Sequence, residues 1–343
     1  MQIEINGRAV GDGHPSFIIA EIGSNHNGDL GLALRHVDAA VEAGADAVKF
    51  QTFKASSHYS RRTPDVDYLK GVSIYGLIES IEIDRGWHTP LMEHAKQQGV
   101  IFLSSPCDPE AIAELSALGM AANKVASFDV TDLDLVRLCA ETGKPVILST
   151  GMADWMEIQR AVETCRAVGN NDIVLLQCTS LYPAPSELSN LAAMKVMRDA
   201  FGVLTGYSDH TMGEHIPLAS VAMGGCMIEK HFTLDRAMPG PDHRFAMEPG
   251  EFAAMVRHVR EVERAIGDGS KAGPRPEEAD MYEKCRRSLH AARAIQPGEV
   301  ISHEMLTAKR PGLGIPPHMV AHVVGRTAKV LIEPDEWITW RHL

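Results

Sequence analysis

Short runs of apolar residues alternate with longer amphipathic stretches from residue 17 to about residue 266 of the chain. Each run has four to seven residues rich in Val, Ile, Leu or Phe, which is typical of strands buried on both faces. The predicted strands are Phe17–Ala20, Ala47–Gln51, Ile101–Ser105, Asn123–Ser127, Val146–Thr150, Ile173–Cys178, Val203–Ser208 and Cys226–Phe232.

The stretches between these runs have the apolar spacing of helices. Asp154 is placed to cap one helix, and Gly143-Lys144-Pro145 is placed to end another. Eight strand–helix repeats in about 250 residues predict an α/β fold of the (β/α)8 TIM-barrel type. A doubly wound open sheet is the alternative, but it usually has fewer strands and a G-x-G-x-x-G turn that this sequence lacks. The apolar stripes are Leu30, Leu34, Val37 and Val41; Trp155, Ile158, Val162 and Cys165; and Phe252, Val256, Val259 and Ile266.

The pattern changes after the last stripe. Residues 267–285 begin with the Gly- and Pro-rich run GDGSKAGPRP and are predicted to form a linker. Residues 286–343 contain short strand-like pieces separated by turns, which predict a small β-rich domain. The predicted organisation is therefore a barrel domain over 1–266, a linker over 267–285 and a C-terminal domain over 286–343. The strand-like pieces are Leu289–Ala294, Val300–Ile301, Met305–Ala308, Ala328–Ile332 and Trp337–Trp340.

Composition narrows the possible functions. The 343 residues are 45% hydrophobic, which is enough for a sizeable core, and the formal charge of −12 argues against nucleic-acid or membrane binding. The apolar runs are too short to cross a bilayer and the N-terminus has no signal-peptide character, so we expect a cytoplasmic protein. Six cysteines fall singly without a C-x-x-C pair, which is typical of reduced thiols.

Each predicted strand delivers polar residues at or just after its carboxyl end, where barrel enzymes build their active sites. Any single residue could be a satisfied structural group, but eight strands contributing to one rim predict an active site. These residues are Glu21, Asn25, His26, Asn27, Lys49, Gln51, Ser104, Ser105, Lys124, Ser127, Asp129, Ser149, Thr179, Ser180, Tyr182, Ser208, Asp209, His210, Glu229, Lys230 and His231.

Two histidines are candidate metal ligands. His210 and His231 follow the seventh and eighth strands, which are neighbours in a barrel, so the two rings could share one ion. The alternative for each is a hydrogen-bonded structural role or a general base. Two protein ligands would leave open positions for water and substrate, as catalytic metals do. The sequence places no cysteine next to them, which favours Mn²⁺ or Mg²⁺ over a thiolate-rich zinc site.

Two lysines are candidate anion ligands. Lys49 and Lys124 could extend along the barrel surface, or they could hold phosphate and carboxylate groups with nearby serine hydroxyls. A Schiff-base aldolase needs only one desolvated lysine, so the second lysine disfavours that reaction. Glu21 could act as a general base on water or form an ion pair with Lys49, with Asp129, Asp209 and Glu229 as other carboxylate candidates.

With these residues placed, the chain resembles the sialic acid synthase family, whose members make N-acetylneuraminate, legionaminate or pseudaminate. The matching runs follow one another in order over nearly the whole chain. They are FIIAEIGSNHNG (17–28), AGADAVKFQT (43–52), KVASFD (124–129), ILSTGM (147–152), CTSLYPAP (178–185), GYSDHT (206–211), IEKHFTLDR (228–236), PGPDH (239–243) and KRPGLGI (309–315).

The resemblance implies a TIM barrel followed by a small β-rich antifreeze-like (β-clip) domain that reaches across a domain-swapped homodimer to the partner's site. It implies that phosphoenolpyruvate condenses with an N-acylated amino sugar, N-acetylmannosamine or a 2,4-diacetamido-trideoxyhexose, with C–O cleavage, phosphate release and a divalent metal. Alternatives are another phosphoenolpyruvate-dependent aldol synthase of the 3-deoxy sugar phosphate type, or a non-catalytic saccharide-binding protein.

The resemblance also assigns roles to individual residues. Glu21, Asp129 and His210 are the expected catalytic residues, and His210 with His231 would bind the metal. Arg310, from the other subunit, would contact the N-acyl group of the sugar. Phosphoenolpyruvate would be held by Lys49, Ser105, Lys124, Ser127, Ser149, Ser180 and Ser208, and the sugar or the reacting water would meet Glu21, Gln51, Tyr182 and Asp242.

Four positions depart from the neuraminate-making pattern. Asp129 stands where those enzymes usually have Glu, and Cys107 stands where Phe is common. Ser180 occupies a position that is Asn in some members, and residues 67–75 lack an asparagine that contacts both substrates in some members. KVASFD and CTSLYP are closer to pseudaminate-type members, whereas PGPDH is closer to neuraminate and legionaminate types. The acceptor sugar is therefore left open.

Overall fold

A computed structural model describes residues 1–64, 71 and 73–343 of the chain. Residues 65–70 and 72 are not described, so much of the segment 67–75, whose sequence lacks the asparagine found in some members, lies outside the described residues. The chain divides into two compact units, Met1–Gly267 and Asp268–Leu343. Among the helices of the described residues, none combines the length and the apolarity that crossing a bilayer requires.

The first unit contains a closed barrel of eight parallel strands. The predicted strands and the predicted barrel are therefore confirmed, with strand ends shifted by one to three residues in seven of the eight. The sixth strand of the chain is the shortest because the backbone turns at Ala126–Asp129. The barrel strands are β3 Phe17–Gly23, β4 Ala47–Thr52, β5 Ile101–Pro106, β6 Asn123–Val125, β7 Val146–Ser149, β8 Ile173–Cys178, β9 Leu204–Asp209 and β10 Met227–His231.

Helices follow the strands and cover the outside of the barrel. Asp29, Asp108, Asp132 and Asp154 each accept hydrogen bonds from first-turn backbone N–H groups, so these aspartates determine where four helices begin. The cap predicted at Asp154 is confirmed. The helices of this unit are α1 Leu30–Glu42, α2 Ala55–His58, α3 Ile74–Ser80, α4 His88–Gln98, α5 Pro109–Ala117, α6 Leu133–Glu141, α7 Trp155–Ala167, α8 Ala192–Phe201, α9 His215–Ala222 and α10 Pro249–Ile266.

A hairpin covers the amino-terminal end of the barrel. Strands β1 Gln2–Ile5 and β2 Arg8–Gly11 pair antiparallel, and Ile3, Ile5 and Val10 pack against the inward-facing strand residues Phe17, Ile19, Ala47, Leu103, Ile147, Val174, Leu176 and Leu204. The hydrophobic pattern did not predict this hairpin because β1, with the sequence QIEI, alternates exposed and buried residues and contains no continuous apolar run. The opposite, carboxyl end of the barrel is therefore the end where the interior is open to polar residues.

The second unit has a core of its own, built around residues such as Leu289, Ile295 and Ile338. Helix α11 Ala279–Cys285 precedes two antiparallel strands, β11 Ser288–Ala291 and β12 Leu306–Lys309, and a short helix, α12 Val320–Val323, follows. The remaining predicted strand pieces form only isolated bridges, because turns interrupt them before a ladder develops. These bridges are His290–Trp337, Ile295–Ile332 and Val300–Thr327.

Candidate active site

Strand alternation determines which polar residues enter the barrel mouth, the cavity at the carboxyl ends of β3 to β10. Successive side chains of a strand point to opposite faces, so Glu229 and His231 share the inward face of β10. Lys230 lies between them and does not line the cavity. Its Nζ donates to Asp209 Oδ2 at 2.5 Å, and both side chains are almost fully buried. Asp209 and Lys230 therefore form an ion pair outside the cavity.

The cavity collects all the residues that were assigned roles by resemblance except Ser180 and Arg310, whereas the other predicted rim residues Asn25, His26, Asn27, Ser104, Thr179, Asp209 and Lys230 do not line it. Glu21, Lys49, Gln51, Ser105, Lys124, Ser127, Asp129, Ser149, Tyr182, Ser208, His210, His231 and Asp242 line it. Ser180 is absent from this lining, but its hydroxyl lies close to Gly151 and Ser127. Arg310 belongs to the second unit, directly after β12.

Two lysines and two glutamates meet at the centre of the cavity. The register of β3 with β4 places Glu21 beside Lys49, and Lys49 Nζ lies 2.6 Å from Glu21 Oε2. Glu229 lies between the lysines, with Oε2 at 3.9 Å from Lys49 Nζ and Oε1 at 3.7 Å from Lys124 Nζ. All four side chains are buried. Sequence reasoning named Glu229 only as a further candidate, although its two-residue spacing from His231 places it on the same face.

Burial and these charges shift the ionisation of the group. Burial raises the pKa of Glu21 to about 7, because the repulsion from Glu229 adds to desolvation and Lys49 opposes it only in part. Burial also disfavours the charge of Glu229, but Lys124 and Lys49 outweigh it and lower its pKa. A carboxyl with a pKa near neutrality exchanges protons readily at physiological pH. Glu21 is thus suited to act as a general base. It also contacts Lys49, so the ion pair that the sequence analysis offered as the other role of Glu21 is present as well.

Serine hydroxyls converge around Gly151. Ser127 Oγ accepts a hydrogen bond from Gly151 N at 3.0 Å. The buried hydroxyls of Ser149 and Ser180 have no hydrogen-bond partner among the described residues. A Cβ at residue 151 would lie 2.4 Å from Ser180 Oγ and 2.9 Å from Ser127 Oγ, so only glycine leaves room for this arrangement. Buried hydroxyls without partners are costly unless a ligand satisfies them.

The two predicted metal ligands are neighbours, as expected from adjacent strands. The ring centroids of His210 and His231 are 5.3 Å apart. His210 Nδ1 lies 2.8 Å from the Thr179 carbonyl, which can only accept, so Nδ1 carries the proton and Nε2 is left as the potential ligand. Burial and the proximity of His210 lower the pKa of His231 well below its usual range, and its Nδ1 has no partner among the described residues. Burial disfavours the charged form of His210, but its contacts with Cys178 and the Thr179 carbonyl outweigh burial and raise its pKa. Two adjacent imidazoles, one of which has a buried nitrogen without a hydrogen-bond partner among the described residues, fit a divalent metal.

One inference about the metal is corrected. Sequence spacing placed no cysteine beside the histidines, but Cys178 Sγ lies 3.7 Å from His210 Nδ1 because β8 and β9 are adjacent in the barrel. The sulfur contacts the nitrogen that already faces the Thr179 carbonyl. It therefore supports the ring on the side away from Nε2.

A second cluster, which the sequence did not predict, lines the cavity at His58, Cys107 and Asp129. His58 Nδ1 lies 4.0 Å from Asp129 Oδ1, and Cys107 Sγ lies 3.9 Å from Asp129 Oδ2. Burial raises the pKa of Asp129. His58 lies in a short helix after β4 that has no regular apolar pattern, so only the folded chain brings it to this cluster.

A closed (β/α)8 barrel that gathers lysines, carboxylates and imidazoles at the carboxyl ends of its strands has the architecture of a barrel enzyme. Residues 36–271 match the NeuB family and residues 286–343 match the SAF domain. The chain belongs to the NeuB family. The predictions of an enzyme, of the sialic acid synthase family and of a C-terminal antifreeze-like domain are confirmed.

Relatives that resemble this chain over almost its whole length carry related names. The N,N'-diacetyllegionaminic acid synthase of Campylobacter jejuni is 41% identical over 330 residues, covering 94% of this chain and 98% of that protein. The pseudaminic acid synthase of Helicobacter pylori is 36% identical over 328 residues, covering 94% and 96%. The crystal structure of N-acetylneuraminic acid (sialic acid) synthetase from Leptospira borgpetersenii, in complex with citrate, superimposes with a TM-score of 0.75 at 33% identity, covering 82% of this chain and 95% of that one.

Proposed function

We propose that this enzyme condenses phosphoenolpyruvate with an N-acylated amino sugar, either N-acetylmannosamine or a 2,4-diacetamido-trideoxyhexose, to form a nonulosonic acid. The proposal is carried by the barrel mouth, where two buried lysines and the unpartnered hydroxyl of Ser149 line the same cavity as a histidine pair. The names of the Campylobacter and Helicobacter relatives support the reaction class without selecting the acceptor.

Phosphoenolpyruvate is assigned to the lysines and serines. Lys49 and Lys124 supply positive charge, Ser127 and Ser180 supply hydroxyls that meet where Gly151 has no side chain, and Ser149 supplies another hydroxyl that lines the cavity. Charge-assisted hydrogen bonds of this kind suit a phosphate. Ser105 accepts from Lys49 Nζ at 3.0 Å and Ser208 donates to Glu229 Oε1 at 3.2 Å, so both serines hold the charged groups in place beside the substrate.

His210 and His231 are assigned a divalent metal, Mn²⁺ or Mg²⁺, which when bound supplies Lewis-acid polarisation of a carbonyl oxygen. The Thr179 carbonyl fixes the tautomer of His210, and Tyr182 packs against its ring with centroids 4.2 Å apart. Asp242 Oδ2 lies 3.9 Å from His231 Nδ1, at the same side of the cavity. Tyr182 and Asp242 therefore lie beside the histidine pair, and we assign them to the sugar together with Gln51, whose Nε2 donates to Glu21 Oε1 at 2.7 Å.

In the proposed reaction, C3 of phosphoenolpyruvate attacks the aldehyde carbon of the open-chain sugar and C2 becomes electron-poor. Glu21 takes a proton from water as the water oxygen bonds to C2, and the former aldehyde oxygen, which gained an electron pair when C3 attacked, is protonated to a hydroxyl. The C2–O bond to phosphate then breaks as the new C2 hydroxyl loses its proton and becomes the keto oxygen, and the bridging oxygen leaves with inorganic phosphate. Holding both substrates in one cavity supplies much of the rate, and Lys49 and Lys124 stabilise the departing phosphate. Asp129, one methylene shorter than the usual Glu, faces the acceptor from the other side.

A homodimer in which the C-terminal domain reaches the partner's cavity completes the proposal. In that arrangement Arg310 contacts the N-acyl group of the sugar bound to the other subunit. This part rests on the family resemblance.

The function is tested by incubating the enzyme with phosphoenolpyruvate and a panel of acceptors, with the products measured by mass spectrometry. Turnover of N-acetylmannosamine or a 2,4-diacetamido hexose is expected, while His210→Ala and chelator-treated enzyme are expected to be inactive, with Mn²⁺ restoring the chelated wild type. Turnover of arabinose 5-phosphate alone would instead identify a 3-deoxy sugar phosphate synthase. Full activity after complete metal removal would exclude the assigned role of the histidine pair.

The bond that breaks is tested separately. Phosphoenolpyruvate with a heavy-oxygen label in the bridge to phosphate is expected to deliver the label to inorganic phosphate. Label retained in the sugar acid would show P–O cleavage and reject the proposed addition of water at C2.

A further inference from the structure

The His58, Cys107 and Asp129 cluster lies across the barrel mouth from the histidine pair. Cys107 follows β5 and Asp129 follows β6, whereas His210 follows β9 and His231 ends β10. The closed strand order β10-β3-β4-β5-β6-β7-β8-β9 places β5 and β6 opposite β9 and β10. The two groups are therefore separate sites that open into one cavity.

The geometry of the cluster is close to that of a metal site. One ligand atom from each of His58, Cys107 and Asp129 lies within 4.8 Å of the other two, and within the described part of the chain no other trio of such residues does so. Tetrahedral Zn²⁺ bound by sulfur, nitrogen and oxygen separates its ligand atoms by about 3.3–3.5 Å. Cys107 Sγ lies 3.9 Å from Asp129 Oδ2 and His58 Nδ1 lies 4.0 Å from Asp129 Oδ1. Because these distances reach different oxygens, binding one ion requires both a contraction of the cluster and either a bidentate carboxylate or a rotation of the Asp129 side chain.

The three side chains are held by the surrounding structure. The His58 ring stacks on Phe53 with centroids 6.3 Å apart and meets Tyr59 edge-on at 4.9 Å. Cys107 N donates to the Thr52 carbonyl, and Asp129 N donates to the Ala126 carbonyl, so both backbones are anchored to the barrel. All three residues line the cavity, which leaves room for water as a further ligand.

We propose that His58, Cys107 and Asp129 bind Zn²⁺ or another thiophilic divalent cation at a site distinct from the histidine pair. A thiolate, an imidazole and a carboxylate form a donor set that favours Zn²⁺ over Mg²⁺ or Mn²⁺. The cysteine releases its proton when the cation binds, as zinc-binding thiols do. Because Asp129 faces the acceptor in the proposed function, a cation at this site inhibits the enzyme by competing with the sugar, a consequence that rests on that function.

Binding is tested without any activity measurement by titrating the full-length, metal-free protein with Co²⁺, which reports on sulfur ligation through a charge-transfer band in the near ultraviolet. The wild type is expected to show the band, and Zn²⁺ is expected to remove it by displacement. Cys107→Ser is expected to lose the band, and His58→Gln to weaken Co²⁺ binding about tenfold or more.

Matched variants separate this site from other thiols. Cys285 is half-buried like Cys107 but lies in the second unit, so Cys285→Ser is expected to keep the band. Cys178 is the thiol beside His210, so Cys178→Ser is also expected to keep it. A band that survives in Cys107→Ser, or that disappears in Cys178→Ser or Cys285→Ser, would overturn the proposal. Circular dichroism and thermal melting of each variant ensure that a lost band reflects the ligand and not the fold.

The inhibitory consequence is tested with the acceptor that the panel identifies. Zn²⁺ added to Mn²⁺-loaded enzyme is expected to raise the apparent KM for the acceptor, and the ratio of activity with and without Zn²⁺ is expected to approach unity in Cys107→Ser. If cobalt binds through Cys107 but Zn²⁺ leaves the acceptor KM unchanged, the site stands and its inhibitory role is rejected. If no acceptor is turned over, the proposed function fails while the cobalt result still decides the site.

Discussion

At the scale of single residues, the barrel mouth neutralises its own charges. Two ammonium groups, on Lys49 and Lys124, face two carboxylates, on Glu21 and Glu229, at separations of 2.6–3.9 Å in a buried cavity. An isolated buried charge would be costly, and the two glutamates favour the charged form of Lys49 by raising its pKa against the effect of burial. Burial outweighs Glu229 at Lys124 and lowers the pKa of that lysine. The carboxylates are not equivalent, because the pKa of Glu21 is raised to about 7 and that of Glu229 is lowered.

Glu21→Gln separates the two roles considered for this residue. As a general base, Glu21 is expected to contribute about 10²–10⁴-fold to kcat, and that contribution is lost in the amide. As an ion-pair partner of Lys49 alone, it would affect the KM for phosphoenolpyruvate and the stability while kcat stayed near the wild-type value. Steady-state kinetics with both substrates varied measure the difference, and a kcat within a few-fold of wild type would reject the base.

Ser149→Ala tests the phosphate assignment. The hydroxyl has no partner among the described residues, so its removal is expected to cost the unliganded protein little. Losing a hydrogen bond to a charged group costs about 1.5–3 kcal/mol, which corresponds to about a 10–100-fold higher Kd for phosphoenolpyruvate. Ser220→Ala is the matched control, because Ser220 is buried in α9 and bonds the Pro217 carbonyl away from the cavity. Calorimetric titration with equal affinities in both variants would contradict the assignment.

At the scale of elements, the two ends of the barrel differ in that one is packed with apolar side chains and the other contains the cavity. The β1–β2 hairpin fills the amino-terminal end with Ile3, Ile5 and Val10, and the carboxyl end carries the cavity. Stability and chemistry are thus assigned to opposite ends, as is usual for this architecture. Substitutions in the hairpin are therefore expected to change unfolding without changing turnover.

Ile5→Ala tests this separation. Ile5 is fully buried, so truncation is expected to lower the free energy of unfolding by about 2–5 kcal/mol. Activity per folded molecule is expected to be unchanged because the cavity lies at the other end. Glu4→Ala is the control on the exposed face of the same strand. Urea denaturation and steady-state assays measure both effects, and a large loss of kcat in folded Ile5→Ala would contradict the separation.

His36 predicts acid sensitivity of the contact between α1 and the loop after β10. Its Nδ1 donates to the Leu32 carbonyl and its Nε2 accepts from Leu234 N, so the neutral ring satisfies both. Burial lowers the pKa of His36 to about 4, from 6.5 in the unfolded chain. The unfolded chain therefore binds the proton first, and about 3 kcal/mol of stability is expected to be lost as pH falls from 6.5 towards 4, with none lost above 6.5.

The measurement for His36 is the urea midpoint as a function of pH. His36→Gln, whose amide can make both hydrogen bonds, is expected to flatten the slope in this window by about one proton. His14→Gln, at an exposed position of the same unit, is the control and is expected to keep the wild-type slope. An unchanged slope in His36→Gln would show that other groups cause the acid sensitivity.

At the scale of the whole molecule, all the residues that line the cavity belong to the barrel unit, whereas Arg310 belongs to the second unit. The NeuB match and the SAF match divide along the same two parts. The proposed dimer assigns Arg310 to the partner's site. A cavity completed by two chains would make activity depend on assembly.

Subunit complementation tests this arrangement. Arg310→Ala and His210→Ala proteins are each expected to be nearly inactive, whereas a mixture that has exchanged subunits is expected to recover activity in heterodimers with one intact site. Differential tags and native mass spectrometry verify the exchange. Absence of recovered activity in proven heterodimers would show that each site is built from one chain.

Much of the fold and part of the site could be predicted from the order of residues along the chain. Eight apolar runs with helical stretches between them specify a parallel barrel, because buried parallel strands need crossover helices, and polar residues after each run meet at one end. Asp154 as a cap, and His210 and His231 as neighbours, follow from the same pattern. These features can be predicted from the sequence because the two-residue alternation of a strand and the 3.6-residue period of a helix are visible within a few consecutive residues.

Only the tertiary structure decided which groups touch. It placed Glu229 between two lysines, paired Lys230 with Asp209 outside the cavity, brought Cys178 to His210 and joined His58 with Cys107 and Asp129. These contacts join residues that are 21 or more positions apart in the sequence. They depend on how the strands close into a barrel and on the stagger between them, which the local sequence periods do not encode. The sequence by itself determined the barrel and the end that carries the polar residues. Closure of the barrel determined which charged groups pair. The ionisation of a group in a buried cavity depends on its neighbours in the folded structure, and these come from distant parts of the chain.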